Sequence, residues 1–483
     1  MQREVIQRIL GLLLAAFSLT MLLPVMFSFL YEDEVVWPYI VSTLITFAAA
    51  VALWYPVRDV HDQLRLREGF LIVVLFWTVL GIFGALPFLL SPSLSLGLTD
   101  AVFESISGLT TTGATVITGL DALPKSILFY RQSLQWLGGM GIIVLAVAIL
   151  PLLGVGGMQL YRAETPGPVK DNRLTPRIKE TAKALWYIYL LLTAACAFAY
   201  WLAGMSGFDA ISHSFSTVAI GGFSTHDASI GYFDSGAIEA IAILFMLLAG
   251  ANFGLHFITW KSASLRHYLQ DAEFKTYLLV LLAVTGIAVV TLQVSAVYPG
   301  LGETFGQAIF HAVSIGTTTG FTTSEFHQWP GSLPLLLLFV SFIGGCAGST
   351  GGGMKVIRVL LLVKQGLREL LRLVHPSAQI AVKIGEKPVD SRVVEAVWGF
   401  FSAYIAVFVV MLLLLMATGL DEVTSFSAVA ATLNNLGPGL GDVGVNYTSV
   451  NGFSKWVLCL GMLLGRLEIF TLLVVLTPAF WRR

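Results

Sequence analysis

The amino-acid sequence predicts an all-α polytopic membrane protein in which four modules of similar sequence follow an N-terminal helix pair. Three observations support this prediction. Of 483 residues, 56% are hydrophobic and only 12% are charged; long apolar runs recur from end to end; and one polar loop pattern occurs four times. A soluble globular protein carries about 25% charged residues, because polar side chains must cover its surface. The composition therefore indicates a membrane protein.

Ten apolar runs are separated by charged or turn-rich breaks. A helix of roughly 20 residues crosses a hydrocarbon core of about 30 Å, and each run approaches or exceeds that length. The runs are 9–30, 36–56, 70–90, 126–153, 183–204, 236–260, 276–298, 333–363, 393–418 and 453–481. The first follows Arg3 and Arg8 like a signal peptide, but no A-x-A-type cleavage site follows it. We therefore predict that it is a retained helix.

Basic residues mark one side of the membrane. Of the 28 Lys and Arg residues, 22 lie at the termini or in four basic breaks. These breaks are 57–69, 162–183, 261–275 and 364–392. The positive-inside rule makes this side cytoplasmic. Both termini are then predicted to be cytoplasmic, as an even number of spans requires.

Four outward-facing breaks contain one repeated unit, a mildly apolar segment followed by a stretch rich in Gly, Thr, Ser and Asn. The copies read TDAVFESISGLTTTGAT from Thr99, FDAISHSFSTVAIGGFST from Phe208, GQAIFHAVSIGTTTGFTT from Gly306 and TSFSAVAATLNNLGPGLG from Thr424. Their matching glycines, Gly113, Gly222, Gly320 and Gly437, are 109, 98 and 117 residues apart, the period of a helix–loop–helix module. The predicted division is an N-terminal transmembrane helix pair, 1–68, and four modules, 69–160, 161–262, 263–375 and 376–483.

Each repeated unit is too short to cross the bilayer. About ten helical residues reach only half-way through the hydrocarbon core. We therefore predict a short re-entrant helix followed by an irregular return segment, which must be buried in protein or line a watery path because lipid cannot hydrogen-bond to it. External amphipathic loops packed on the helices are the alternative. Four copies with one internal spacing favour four pore loops around one pore.

The centres of the four loops contain neither carboxylates nor basic residues, which argues against an acidic ring for divalent cations or sodium and against an anion pore. Backbone carbonyls remain, and they can replace the water shell of a weakly hydrated monovalent cation. This predicts a potassium path, less selective than four identical T-V-G-Y-G strands. The predicted filter residues are Thr111, Thr112, Gly113, Ile220, Gly221, Gly222, Thr318, Thr319, Gly320, Asn435, Leu436 and Gly437, with Gly439 as the alternative to Gly437.

Two features beyond the loops predict a gate. The eighth run is interrupted by SFIGGCAGSTGGGMK, 341–355, in which each glycine would cost a helix about 1 kcal/mol. We predict a flexible intramembrane loop below the filter; a helix-packing site of small residues is the alternative, and the G-K-[ST] ending of a phosphate-binding loop is missing. Arg466 lies in the last run, where a charge is expensive. It is expected to face the cavity and repel cations, or to pair with a carboxylate or with carbonyls of the glycine-rich loop. The predicted gate residues are Gly348, Gly351, Gly352, Gly353, Lys355 and Arg466.

Other functions find less support in the sequence. A net charge of −1 gives no basic footprint for nucleic acid, and three cysteines without C-x-x-C spacing suggest neither a disulfide framework nor a zinc site. His213 and His311 have no acidic or Cys partners at ligand spacing, so hydrogen-bonding roles are favoured over metal ligation. The sequence contains neither a G-x-S-x-G nor an H-E-x-x-H motif, either of which would indicate an enzyme. A proton- or sodium-coupled secondary cation carrier is the alternative function, with Glu104 and Glu468 as its obvious intramembrane carboxylates.

Together the four loops, the AGSTGGGMK break and Arg466 resemble the TrkH family, the membrane subunits of bacterial Trk potassium uptake systems. The resemblance covers essentially the whole chain, including the helix pair before Glu68 that distinguishes Trk from its shorter Ktr relatives. It implies uptake of potassium, the transported ligand, through a pseudo-fourfold filter of backbone carbonyls. It also implies a homodimer in the lipid of the bacterial inner membrane.

The same resemblance implies gating by a cytosolic ring of TrkA-type regulatory subunits that bind NAD(H) or ATP. This chain has no G-x-G-x-x-G fingerprint after a strand, so we expect the nucleotide in the partner and no organic cofactor here. The basic stretches 162–183 and 364–392 are the expected docking sites, although a positive-inside role explains them equally well.

Overall fold

The structure, a computed structural model, describes residues 2–33, 35–60, 66–144, 178–385 and 387–482. Within these residues the regular secondary structure is helical apart from one antiparallel hairpin, β1 (Lys383–Ile384) and β2 (Lys387–Pro388). The predicted all-α class is confirmed. Residues 145–177, which hold the end of the fourth apolar run and most of the basic break 162–183, lie outside the described residues.

The helices follow the order of the apolar runs and the repeated units. The N-terminal pair and module 1 contain α1 (Arg3–Thr20), α2 (Leu23–Tyr31), α3 (Val36–Trp54), α4 (Leu66–Phe83), α5 (Leu86–Leu90), α6 (Leu98–Leu109) and α7 (Lys125–Val144). Module 2 contains α8 (Ile178–Leu202), α9 (Gly207–Ala219), α10 (Gly236–Gly250) and α11 (Phe253–Ser262). Module 3 contains α12 (Arg266–Gln270), α13 (Ala272–Val294), α14 (Leu301–Gly316), α15 (Leu333–Ile343) and α16 (Val356–Val374). Module 4 contains α17 (Ser391–Met416), α18 (Glu422–Leu433), α19 (Gly452–Arg466), α20 (Phe470–Leu476) and α21 (Pro478–Trp481).

Short 3-10 turns occur at Tyr55–Val57, Leu120–Ala122, Ser229–Phe233, Phe326–Gln328 and Gly441–Val443. All but the first lie after one of the four repeated units, where the chain returns to the next helix.

Four short helices, α6, α9, α14 and α18, are the pore helices 1 to 4. They have 12, 13, 16 and 12 residues, so each is shorter than the roughly 20 residues that a full crossing of the bilayer core requires. Two of them begin with a side-chain cap, in which Ser206 and Asp421 accept a hydrogen bond from the backbone N–H three residues later. In chain order, each pore helix follows one long helix (α4, α8, α13 or α17) and precedes another helix (α7, α10, α15 or α19).

Among the described residues six helices are long and apolar enough to cross a membrane, or eight if two bent pairs are each one span. The sixth and tenth apolar runs are not straight helices: α10 and α11 are bent by 96°, and α19 and α20 by 115°. Asn252 causes part of the first break, because its side chain accepts a hydrogen bond from Gly254 N–H and starts a new helix. At the second, Glu468 and Ile469 have φ values of 52° and 57°, which end a right-handed helix.

Candidate functional site: four filter loops above a glycine-rich loop

The loops that the sequence predicts to form the filter, here named filter loops 1 to 4, have their centres at 110–113, 219–222, 317–320 and 434–437. These centres meet in one ring. At each matching glycine an added Cβ atom would lie closer than 3.0 Å to a carbonyl oxygen of another loop. The pairs are Gly113 with Gly221, Gly222 with Thr319, Gly320 with Leu436, and Gly437 with Thr112. The loops therefore follow one another in chain order, and the fourth closes onto the first. This is a pseudo-fourfold arrangement made by a single chain.

All four loops share one backbone conformation despite their different sequences. Each has two left-handed residues, one being the matching glycine with φ between 79° and 99° and the other lying two positions earlier with φ between 52° and 70°. The earlier residues are Thr111, Ile220, Thr318 and Asn435. Each pore helix thus ends in a Schellman motif: the N–H of the residue between the two left-handed residues donates to the carbonyl five positions earlier, at 2.7 to 2.9 Å. In the fourth loop the two positive φ values fall on Asn435 and Gly437.

This conformation is unfavourable for three of the four non-glycine residues. Thr111, Ile220 and Thr318 are β-branched, and a left-handed residue of this kind is a steric outlier that costs of order 1–3 kcal/mol. All three are almost completely buried, at 1% exposure or less. The surrounding protein therefore fixes the loops in a strained shape. Such strain is typical of functional sites, where the geometry has to be held rigidly.

The side chains that stabilise the loops differ from one loop to another. In the first and third loops two threonine hydroxyls contact each other, Thr110 with Thr112 at 2.8 Å and Thr317 with Thr319 at 2.7 Å. The second loop has no hydroxyl there, and Gln135 from α7 takes this role. Its amide donates to Gly221 O at 2.6 Å and accepts from Phe223 N–H at 3.0 Å. Gln135 is not among the residues predicted from the sequence, where the one local indication of its role is a Gln within an apolar run.

The two pore-helix histidines are hydrogen-bonded within their own modules, as expected. His213 contacts Asp209 O and Ser224 Oγ, both at 2.9 Å. His311 contacts Gln307 O at 2.9 Å. Across the described residues no group of three or more His, Cys, Asp or Glu side chains could hold a metal ion.

The glycine-rich loop covers residues 344–355 and not the predicted 341–355, because residues 341–343 still belong to α15. It lies directly against the filter loops of modules 2, 3 and 4. Thr350 Oγ1 donates to Val218 O at 2.9 Å, at the end of pore helix 2. Gly352 N–H donates to Thr318 Oγ1 at 2.7 Å, and Gly353 N–H donates to Asn434 O at 3.0 Å. A Cβ atom on Gly352 would overlap Asn434 O, so only glycine permits this approach.

Arg466 joins the glycine-rich loop to module 1. Its Nη1 donates to Thr350 O at 3.4 Å, its Nη2 donates to Gly138 O, and the guanidinium lies 5.1 Å from the centroid of the Trp77 ring. Arg466 therefore contacts a carbonyl of the glycine-rich loop, and this contact is one of the alternatives that the sequence leaves open. The neighbouring carboxylate, Glu468, forms an ion pair with Arg358.

Other residues predicted to form the gate contact the backbone at the edges of the loop. Lys355 Nζ donates to Gly351 O within the loop. Gly348 O accepts from Phe253 N–H at 3.1 Å, and Cys346 N–H donates to Gly250 O at 2.8 Å. The break between α10 and α11 is thus hydrogen-bonded to the break between α15 and α16, so a movement of either one bears on the other.

Glu273 holds the two ends of the glycine-rich loop together. Its Oε1 accepts from Ala347 N–H at 2.7 Å and from Ile357 N–H at 3.1 Å. One buried carboxylate thus satisfies backbone donors on both sides of the loop, which would otherwise lack partners. The sequence indicated the loop but not this residue, because Glu273 lies more than 70 positions earlier, at the start of α13.

The segments that follow the first two filter loops are joined by charged side chains. Asp227 accepts from Gly119 N–H at 3.1 Å and from Leu120 N–H at 3.0 Å. His226 contacts Asp121 at 2.5 Å and Asp209 at 3.5 Å, and its ring stacks on Tyr232. Burial by itself would lower the pKa of His226, but the hydrogen bonds and charges of Asp209 and Asp121 outweigh it and raise this pKa above its ordinary value.

The His226→Gln variant should be less stable than the parent protein by about 1 kcal/mol at pH 6, and by much less at pH 9. Because the folded-state pKa is raised, the imidazolium stabilises the fold fully below the unfolded-state pKa of about 6.5, and this contribution is lost as the pH rises through the folded-state value. Thermal unfolding of the detergent-solubilised protein at both pH values measures the effect. His375→Gln, at an exposed position, is the control, and an equal loss at both pH values would contradict the prediction.

Comparison with known proteins gives consistent matches over the whole chain. Residues 39–482 match TrkH, described as a cation transport protein. The chain is 60% identical over 484 residues to the Trk system potassium uptake protein TrkH of Vibrio parahaemolyticus, with all of both chains covered. It is 58% identical to TrkH of Escherichia coli K12, again with all of both covered, and 42% identical to TrkG of that strain, with 99% of each covered.

A solved structure matches equally well. The crystal structure of the potassium transporter TrkH from Vibrio parahaemolyticus superposes with a TM-score of 0.91 at 58% identity, covering all of both chains. The relatives are named as transport proteins, and the common architecture is that of helix–pore-loop–helix modules in a membrane. The family match, the identity to full-length relatives and the common fold show that the chain belongs to the TrkH family of cation transport proteins.

Proposed function

We propose that this protein takes up potassium across the bacterial inner membrane through the ring of four filter loops. The observation that carries the proposal is the shared backbone conformation of the loops, closed into a ring by glycines that contact neighbouring carbonyls. Backbone carbonyls are the ligands that replace the hydration shell of potassium. The relatives are named potassium uptake proteins, which supports the same ion.

The twelve filter residues predicted from the sequence are the proposed ion sites. The four middle residues, Thr112, Gly221, Thr319 and Leu436, supply the carbonyl oxygens that lie against the glycines of the ring. One of these oxygens, on Gly221, already accepts a hydrogen bond from Gln135. The ring is therefore chemically unequal, which fits a selectivity weaker than that of four identical strands.

The glycine-rich loop and Arg466 are the proposed gate. The loop is hydrogen-bonded to three of the four modules, and Arg466 joins it to the fourth through Gly138. In this position the loop lies across the path below the filter, and conduction requires these hydrogen bonds to break. Gly348, Gly351, Gly352, Gly353 and Lys355 give the loop its close contacts.

The assembly proposed from the family is a homodimer with both termini in the cytoplasm, gated by a cytosolic ring of TrkA-type subunits that bind NAD(H) or ATP. The proposed docking surface is the basic stretches 162–183 and 364–392. In the second, Lys364 Nζ donates to Lys383 O at 2.7 Å, so α16 and the hairpin present basic residues together. The proposed division is the one given by the sequence, a helix pair at 1–68 and modules at 69–160, 161–262, 263–375 and 376–483.

A coupled carrier is less well supported by the geometry. Its two candidate carboxylates each form an ion pair, Glu104 with Arg131 at 2.8 Å and Glu468 with Arg358. A carboxylate that binds and releases a coupling proton or sodium ion has to be free to change partners during transport. Two carboxylates already paired within the fold do not meet that requirement.

Uptake into proteoliposomes tests the function. The purified chain should take up potassium, or rubidium as its tracer, down an imposed potassium gradient without a sodium or proton gradient, and it should restore growth at low potassium in cells that lack potassium uptake. Liposomes without protein are the control. An absolute requirement for a sodium or proton gradient would favour the carrier, and failure of both assays would refute the proposal.

A further inference from the structure

Glu104 and Arg131 form a fully buried ion pair behind the first filter loop. Both residues have 0% exposure, and Arg131 Nε donates to Glu104 Oε1 at 2.8 Å. Glu104 lies on pore helix 1, and Arg131 on α7. Burying two charges is costly unless further hydrogen bonds satisfy them. The further hydrogen bonds of Glu104 and Arg131 therefore indicate the role of the pair.

The remaining atoms of the pair hold two different filter loops. Glu104 Oε2 accepts from Val116 N–H at 3.0 Å, and Thr115 Oγ1 lies 3.0 Å from both carboxylate oxygens. Arg131 Nη1 donates to Ser224 O at 3.1 Å, and its guanidinium lies 4.2 Å from the centroid of the Phe223 ring. Residues 115 and 116 directly follow the first filter loop, and residues 223 and 224 directly follow Gly222. The pair thus joins the outer ends of loops 1 and 2.

The other modules have a related contact at the same level. The residue nine positions before the matching glycine is Glu104, His213, His311 and Ala428 in modules 1 to 4. His213 contacts Ser224 Oγ at 2.9 Å, and His311 accepts from Thr323 N–H at 3.4 Å. In module 4 the neighbouring Ser427 accepts from Leu440 N–H at 2.8 Å. Each described pore helix thus holds the outer end of its own filter loop, and in module 1 the residue at this position is a carboxylate whose arginine partner reaches the next loop.

We propose that the Glu104–Arg131 pair determines cation specificity by positioning filter loops 1 and 2 relative to each other. The inference rests on the proposed function of the loops. Discrimination between potassium and sodium by carbonyls depends on how the oxygens are held around the ion. A guanidinium is a rigid planar group with several fixed donors, so the pair fixes the spacing of the two loops more stringently than a single hydrogen bond does. Being neutral as a whole, it does so without adding net charge beside the ion path.

Two variants test the pair. Glu104→Gln keeps the size and one acceptor oxygen but removes the charge, and Thr115→Val removes the hydroxyl that lies between both partners without changing any charge. We expect the ratio of potassium to sodium uptake in proteoliposomes to fall by about tenfold in Glu104→Gln and by about threefold in Thr115→Val. Uptake is measured per amount of protein that elutes as a folded species, so a loss of folded protein does not alter the ratio.

Asp100→Asn is the matched control. Asp100 lies one turn earlier on the same pore helix and forms an ion pair with Lys455 at 2.7 Å. Its loss removes an ion pair from that helix without removing a contact to residues 115, 116, 223 or 224, so the uptake ratio should stay that of the parent protein.

The outcomes separate this inference from the function on which it rests. A lowered ratio in the two test variants with an unchanged ratio in Asp100→Asn supports a positioning role. An unchanged ratio in Thr115→Val, or in folded Glu104→Gln, shows that the pair serves stability alone and overturns the inference while leaving potassium uptake intact. If Glu104→Gln does not fold, Thr115→Val decides by itself. A parent protein that takes up both ions equally would refute the selective filter and, with it, this inference.

Discussion

Serine in place of Gly113, Gly222 or Gly320 should abolish growth at low potassium in cells that depend on this protein. All three glycines have φ near 80°, where a non-glycine residue costs about 1–2 kcal/mol, and in all three an added Cβ atom would overlap a carbonyl oxygen of the next loop. The substitution therefore displaces an oxygen of the ring as well as straining the backbone. The expected result in proteoliposomes is a loss of potassium preference over sodium of tenfold or more.

The four glycines should not respond equally. At Gly437 the nearest atom to an added Cβ, Thr112 O, is 2.6 Å away, the longest of the four nearest distances, so Gly437→Ser should be the mildest variant. Gly306→Ser is the control: it lies in pore helix 3, where an added Cβ meets no atom within 4 Å, and it should leave uptake unchanged. If Gly113→Ser, Gly222→Ser and Gly320→Ser all kept the ion preference of the parent protein, the filter assignment would be wrong.

Alanine in place of Arg466 should raise potassium flux in the absence of any regulatory subunit by about tenfold. The guanidinium donates to Thr350 O on the glycine-rich loop and to Gly138 O in module 1, and hydrogen bonds from a charged donor are worth about 1.5–3 kcal/mol. Their loss shifts the balance from the closed loop towards the open one, and 1.4 kcal/mol corresponds to tenfold in that equilibrium. Flux into proteoliposomes under a fixed potassium gradient measures the change.

Deletion of Gly351–Gly353 should act in the same direction, because it removes the backbone donors to Thr318 and Asn434. Arg58→Ala is the control for loss of an arginine, since Arg58 is exposed and pairs with Asp59 outside the four modules. Its flux should equal that of the parent protein. Unchanged or lower flux in both gate variants would rule out the glycine-rich loop as a barrier.

The parts of the site that could be predicted from the sequence are those with a local signature. The matching glycines follow from one spacing repeated four times, and the break before Val356 follows from six glycines in one apolar run. The left-handed conformation of Thr111, Ile220 and Thr318 could not be predicted, because local preferences of β-branched residues oppose it. Only the tertiary packing around the completed ring makes it favourable.

Contacts between distant segments could not be predicted from the sequence either. The sequence indicates Glu104 as an intramembrane carboxylate, but nothing local indicates that it meets Arg131 or that the pair reaches two different filter loops. The bends after Gly250 and Arg466 lie in runs that are apolar enough to be straight helices, and they arise from capping by Asn252 and from two left-handed residues. The sequence thus predicts the repeated modules well, and the contacts between modules poorly.

The closure of the ring has a consequence for how the protein is made. The last contact joins the first loop to the fourth: Asn435 Nδ2 donates to Thr112 Oγ1 at 3.0 Å, across a separation of 323 residues. During synthesis the first three modules enter the membrane before this partner exists, so loop 1 has no neighbour on one side until module 4 is inserted. A partly synthesised chain therefore lacks the complete ring, which forms only when translation of that chain is almost finished.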